Sequence, residues 1–176
     1  MKAPRVRGED MFQQGDFVVY GMHGVCRILG REVRRIDCNS VEYYVLEPVK
    51  HTDDRYYVPT QNAAAVSKMK PILNKQQLDE LISSPEATLD VWIEDENQRK
   101  QKYRELITGG DRVALLSMVR ALHIHKEILL AQERRLHLCD VNFLRDAENL
   151  LGEEFSLVLG IEPNEVGNYI INAIKE

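Results

Sequence analysis

The stretch Gly15–Ile28, GDFVVYGMHGVCRI, reads as one strand, a tight corner and a second strand. Valine, isoleucine and aromatic residues suit a pleated, half-buried surface, so Asp16–Tyr20 (DFVVY) and Val25–Ile36 (VCRILGREVRRI) are strand formers. Gly21 and Gly24 flank the corner, where a backbone at positive φ or in close approach has no Cβ to clash. A phosphate-binding glycine loop needs a helix directly after it. Here a β-branched run follows, so the segment is a sheet corner and not a phosphate cradle.

Working outward, Val41–Val49 (VEYYVLEPV), Arg55–Pro59 (RYYVP) and a short run at Ala64–Ser67 continue the pattern, separated by the turn-forming stretches DCNS and KHTDD. Five short antiparallel strands bury one face by curling into a small barrel. Beyond Pro71 the period changes from two to 3.6. Asn74 followed by Gln77 is a helix-capping pair, and it opens a helix over Lys75–Ser83. A second helix is expected over Leu89–Ile107, ended by Gly109–Gly110. Asp111 caps a third, with Ala114, Leu115, Met118, Val119 and Leu122 as its apolar stripe. Asp140 is the expected cap of a fourth, through Leu144, Ala147, Leu151, Phe155 and Val158, and Pro163 opens a fifth. The fold class is therefore α+β, a small antiparallel β-barrel followed by a compact five-helix domain.

Charge divides at the same place. Of the 176 residues, positions 1–74 carry 11 Lys and Arg against 9 Asp and Glu, whereas positions 75–176 carry 12 against 19, within a total of −5. That balance excludes a generic nucleic-acid coat. No run approaches the roughly 20 apolar residues of a membrane-spanning helix, and MKAPRVRGED at the start lacks the apolar region of a secretory signal, so a cytoplasmic protein is expected. Cys26, Cys38 and Cys139 are an odd, dispersed set, expected as reduced thiols.

Catalytic constellations are not legible. His123 and His125 are two apart on a helix and do not share a face, and His137 with Cys139 has no second pair to complete a metal site. No metal, cofactor or enzymatic chemistry is expected. What remains are binding surfaces. Arg27, Arg31, Arg34, Arg35 and Arg55 stand among Tyr43, Tyr44, Tyr56 and Tyr57, a composition that suits protein interfaces. In the helical half Arg99, Lys100, Lys102 and Arg104, then Arg120, Lys126, Arg134 and Arg135, are the basic residues that would have to face one way to attract phosphate.

MFQQGDFVVYGMHGVCRI from Met11 resembles the opening of the CarD/CdnL family of bacterial RNA polymerase-binding transcription regulators, whose first domain is shared with the transcription-repair coupling factor. YYVP (Tyr56–Pro59), YRELITGGD (Tyr103–Asp111) and MVRAL (Met118–Leu122) follow in the family's order. The resemblance implies a Tudor-like polymerase-interacting domain over 11–70, a helical domain over 75–176, and residues 1–10 as an extension or tag remnant. It implies a monomeric regulator that docks on the polymerase β subunit and modulates promoter open-complex stability, with DNA contact by the helical domain. Arg34 falls where relatives place an arginine against polymerase. Tyr57 stands where another arginine is common, so that contact is altered or moved to Arg55, with Arg35 adjacent to Arg34. On the DNA side the implied set is Trp92, Arg99, Lys100, Lys102, Arg120 and Lys126.

The helical half departs from the pattern. Trp92 lies eleven residues before Tyr103, where relatives have a shorter gap, and Val141, Asn142, Asp146 and Glu148 replace expected basic residues. Trp92 has two readings, a wedge inserted into the minor groove or a core residue among Leu89, Val91 and Ile93. The alternative function is a Tudor-like protein-interaction adaptor without direct DNA binding.

Overall fold

A computed structural model describes residues 12–175. Positions 1–11, including the expected N-terminal extension and Met11, lie outside the described residues. The chain divides into two compact units, residues 12–20 with 25–71 and residues 21–24 with 72–175. Among the described residues no helix is long and apolar enough to cross a membrane.

The first unit is a five-stranded antiparallel sheet of β1 (Phe17–Tyr20), β2 (Val25–Ile36), β3 (Asn39–Pro48), β4 (Tyr56–Pro59) and β5 (Met69–Pro71), in the order β4-β3-β2-β1-β5. The corner after β1 has positive φ at Gly21 and Gly24, as the opening stretch requires. Val18, Cys26, Ile28, Tyr44, Leu46, Val58 and Met69 form its core with Phe12, whose ring meets Tyr44 edge-on at 6.0 Å. The expected closed barrel is not formed. β4 and β5 remain edges, each ending in a proline that lacks the N–H a further ladder would use. The expected fifth strand at Ala64–Ser67 is instead α1 (Ala63–Val66), because Asn62 accepts from Ala65 N–H at 3.1 Å as an N-cap and three alanines favour helix. The strand itself follows at Met69.

One irregularity organises the sheet. The β2–β3 register runs Ile28 to Leu46, then Gly30 to Val45 and Arg31 to Tyr44, so Leu29 is an extra residue and Gly30 bends at φ 145°. Before this bulge the even-numbered residues of β2 face the core. After it the odd-numbered ones do, since directly paired residues share a face. Beyond Glu32, where β3 no longer pairs with β4, β2 and β3 continue as a two-stranded ribbon to the turn at Asp37 and Cys38, with Asp37 at φ 55° and positions 31–40 all exposed.

The second unit holds α2 (Lys75–Ile82), α3 (Glu96–Gly109), α4 (Arg112–Ala131), α5 (Leu138–Leu159) and α6 (Pro163–Lys175), with a short 3-10 turn at Glu86–Thr88. With α1 the described residues thus contain six α-helices, one more than expected. Asn74 and Gln77 make the reciprocal capping box, Asp111 accepts from Ala114 N–H at 3.0 Å, and Gly110 ends α3 in the left-handed region. Two boundaries differ from expectation. α3 starts at Glu96, not Leu89, because Asp95 takes the cap position and accepts from Gln98 N–H at 2.8 Å. α5 starts after His137, which makes Asp140 a first-turn residue instead of a cap.

Tyr103, Leu116, Met118, Leu122, Leu151, Phe155 and Ile170 are central to the helical core. Glu154 is buried there but satisfied, accepting from Arg112 at 2.6 and 2.9 Å and from Leu73 N–H at 2.8 Å. Tyr103 is fully buried, and its hydroxyl has no hydrogen-bond partner among the described residues.

Burial pushes the Tyr103 phenol above its ordinary value of 10.0, reinforced by the nearby Asp140 carboxylate. A folded-state value above the unfolded one gives stability that is complete below about pH 10 and is lost as pH rises beyond it. Tyr103→Phe should therefore leave stability at pH 7 unchanged or slightly higher, since it removes an unsatisfied buried hydroxyl. It should also weaken the loss of stability above pH 10, as read by urea unfolding across the pH range. A loss of 2 kcal/mol or more at pH 7 would show that the hydroxyl is satisfied.

Candidate functional site

The outer face of the sheet is built by alternation and by the bulge. Arg27, Glu32 and Arg34 on β2 share it with Tyr43, Val45 and Glu47 on β3 and Tyr57 on β4, through the pairs Arg27–Glu47, Glu32–Tyr43, Arg34–Val41 and Val45–Tyr57. The Arg34 guanidinium lies over the Tyr57 ring, 3.7 Å from its centroid, and Tyr57 meets Tyr43 edge-on at 6.3 Å. Glu32 accepts from Arg34 Nε at 2.8 Å and holds the guanidinium above its ordinary value. Arg55, just before β4, pairs with Glu47 at 2.8 Å and donates to the backbone carbonyls of Thr52 and Asp54. Three of the four expected polymerase-contact residues, Arg34, Arg55 and Tyr57, thus belong to one exposed face. Arg35 pairs with Ser40 and belongs to the opposite face of the ribbon.

The six residues expected to meet DNA are not gathered into one surface. Arg99 on α3 is 2 % exposed. Its Nε and Nη2 donate to the two oxygens of Asp140 at 3.0 and 2.8 Å, and its Nη1 donates to the carbonyls of Ile93 at 2.6 Å and Glu94 at 3.2 Å. Hydrogen bonding to Asp140 keeps this guanidinium above its ordinary value. These bonds use the carbonyls that a helix starting at Leu89 would have needed. A phosphate contact from Arg99 would require breaking the buried pair with Asp140.

Trp92 is half-buried against the helical core. His125 on α4 stacks on its ring at 4.0 Å and 11°, and the Arg99 guanidinium lies 4.2 Å from the same ring centroid. Two groups so close to one centroid cannot share a side, so both ring faces are covered. Asp90 borders the assembly, accepting from the backbone N–H of Trp92 at 2.9 Å and lying 3.4 Å from His125 Nε2. Of the remaining residues, Arg120 is buried within α4, whereas Lys102 and Lys126 are exposed and Lys100 pairs with Glu96 one turn earlier. Lys100 and Lys102, two apart on α3, do not share a face. Among the described residues no cluster of His, Cys, Asp and Glu side chains is arranged to hold a metal ion.

Sequence reasoning missed His125 and Asp140 as partners of Trp92 and Arg99. Asp140 is 41 residues from Arg99, and no local spacing signals such a pair.

Residues 12–70 match the family model of the CarD-like/TRCF RID domain. Over those residues, about a third of its length, the chain is similar to this domain. The match is in line with the family resemblance read from the opening strands and supports a transcription-related protein that interacts with RNA polymerase. The matched residues span the sheet unit and the corner at 21–24, and helices α2 to α6 lie beyond them. A search of the curated proteins finds no match.

Trp92→Ala would remove a half-buried ring that holds His125 and Arg99, and should lower stability by about 2–3 kcal/mol, measured by urea unfolding. Arg99→Ala should cost about 3–5 kcal/mol by leaving Asp140 buried without its partner. An unchanged unfolding midpoint for Trp92→Ala would mean that the ring adds nothing to the fold and is available to a ligand.

Proposed function

We propose that the protein is a non-enzymatic transcription regulator that docks on the RNA polymerase β subunit through the outer face of its sheet and modulates promoter open-complex stability. The observation that carries this reading is the exposed Arg34–Tyr57 stack within the residues that match the RID domain. Arginine and tyrosine bury large area for little lost freedom and are the residue types that dominate interface energetics. Arg55, on the same face, supplies a second cation close to Tyr57. Arg35 joins only a partner that wraps the ribbon. The protein acts as a cytoplasmic monomer.

For DNA the geometry favours the alternative, an adaptor that meets promoter DNA weakly or only within a polymerase complex. Arg99 and Arg120 are buried and both faces of Trp92 are covered, so Lys102 and Lys126 are left as the exposed cations of the expected set. Two phosphate contacts give a shallow dependence of affinity on salt.

Arg34→Glu should abolish or strongly reduce pull-down of the polymerase β subunit while the circular dichroism spectrum and melting temperature stay unchanged, because a reversed interface charge costs several kcal/mol. Undiminished pull-down by the folded variant would refute docking through this face. Affinity for promoter DNA alone, followed from about 50 to 200 mM salt, should fall by far less than the 10³–10⁵-fold typical of a protein making six or more phosphate contacts. A steep fall would restore direct DNA reading.

A further inference from the structure

The helical unit leaves a strip of large apolar side chains uncovered. Leu89, just after the 3-10 turn, is 60 % exposed, and Ile124 and Ile128 on α4 are each 45 % exposed. Ile124 and Ile128 are four apart and share one face of α4. Leu89 and Ile124 line a single cleft of about 560 Å³, to which Ile82 of α2 and Ala121 of α4 add further apolar wall and Tyr169 of α6 another side. Ile128 extends the strip one turn beyond the cleft. Single exposed leucines are ordinary, but apolar side chains gathered around one cleft mark a contact site.

The exposed ionic groups of the cleft are Asp79 and Asp90. Asp79 accepts from the Tyr169 hydroxyl at 3.3 Å and Asp90 from the backbone N–H of Trp92 at 2.9 Å, so both carboxylates are fixed at the rim. Arg120 also lines the cleft, but it is 5 % exposed and its two unpartnered nitrogens are buried, so it offers no charged surface to a ligand. The wider field has the same sign as the rim, since positions 75–176 carry 19 Asp and Glu against 12 Lys and Arg.

We propose that this groove docks a basic amphipathic helix of a protein partner, its apolar side chains against Leu89, Ile124 and Ile128 and its lysines or arginines toward Asp79 and Asp90. Ile124 and Ile128 stand one turn apart, about 6 Å along α4, which is the spacing at which the i and i+4 side chains of a second helix meet them. The rim carboxylates complement the basic face of such a helix and repel an acidic one. For the same reason a second copy of this chain fits poorly, because its helical unit would bring acidic surface against an acidic rim. All of these residues belong to the helical unit, so the groove can be filled or empty without bearing on how the sheet docks.

The test titrates a two-heptad leucine–lysine peptide, its leucines on one helical face, into the full chain and follows backbone amide shifts by NMR. Saturable shifts centred on Ile82, Leu89, Ile124 and Tyr169 are expected. A leucine–glutamate peptide of the same pattern should bind at least tenfold more weakly, and a lysine–serine peptide of equal positive charge should leave those resonances unmoved. Ile124→Ser, which removes an exposed apolar contact, and Asp79→Lys, which reverses a rim charge, should each weaken binding of the leucine–lysine peptide about tenfold or more while the melting temperature stays unchanged. The proposal fails if that peptide gives no saturable shift, if either control peptide binds as well, or if the folded variants bind it undiminished. Shifts of the same residues on raising the protein concentration alone would assign the groove to a second copy of the chain and overturn it too.

Discussion

The display of Arg34 depends on one extra residue. Were Leu29 taken into the ladder opposite Val45, the alternation would run on unbroken and Arg34 would fall on the core side of the sheet with Cys26 and Ile28. The bulge reverses the parity of the whole distal half of β2, so that Arg34 meets Tyr57 and Tyr43 on the outer face while Arg31 and Arg35 take the other side. Gly30, at φ 145°, occupies a backbone region that L side chains rarely adopt. A backbone property four residues away therefore decides which arginine a partner meets.

In the helical unit charge is spent inward. Arg99 fastens the Trp92–Glu94 segment and α3 to Asp140 on α5, Arg112 satisfies buried Glu154, and Arg120 lies in the core. Each of these cations counts in the formal charge of the sequence yet contributes little to the surface. Asp140 and Glu154 are buried with Arg99 and Arg112, so these pairs cancel and the exposed surface of the unit keeps the acidic excess of its sequence, which disfavours a polyanion and suits a basic or neutral protein surface.

The strand and helix order was legible because its signals are local. The alternation in DFVVY, the Asn74–Gln77 box, the Asp111 cap, the Gly110 stop and Pro163 at a helix start all act within one or two turns of chain. The departures share the opposite character. Whether five strands close depends on how β4 and β5 meet through space, and their terminal prolines give only half of that information. The expected helix from Leu89 has suitable spacing, but the Ile93 and Glu94 carbonyls are claimed by Arg99. Asp140 resembles a cap because a capping aspartate and a buried ion-pair aspartate look alike until the partner from another helix is known. In the same way Trp92 in apolar company gave no hint that His125 and Arg99 would enclose it.

The ribbon beyond Glu32 has a mechanical consequence. Its backbone is held by a two-stranded ladder without a core on either side, so opening should become progressively easier toward Asp37 and Cys38, while Val25–Ile28 exchange their amide hydrogens only with the whole sheet. The Arg34–Tyr57 contact ties the ribbon sideways to β4 part-way along its length and divides it into a stiffened base and a freer tip. A partner seated on the base meets a surface already held in shape and loses little entropy on binding, whereas one that grips the tip must first immobilise it.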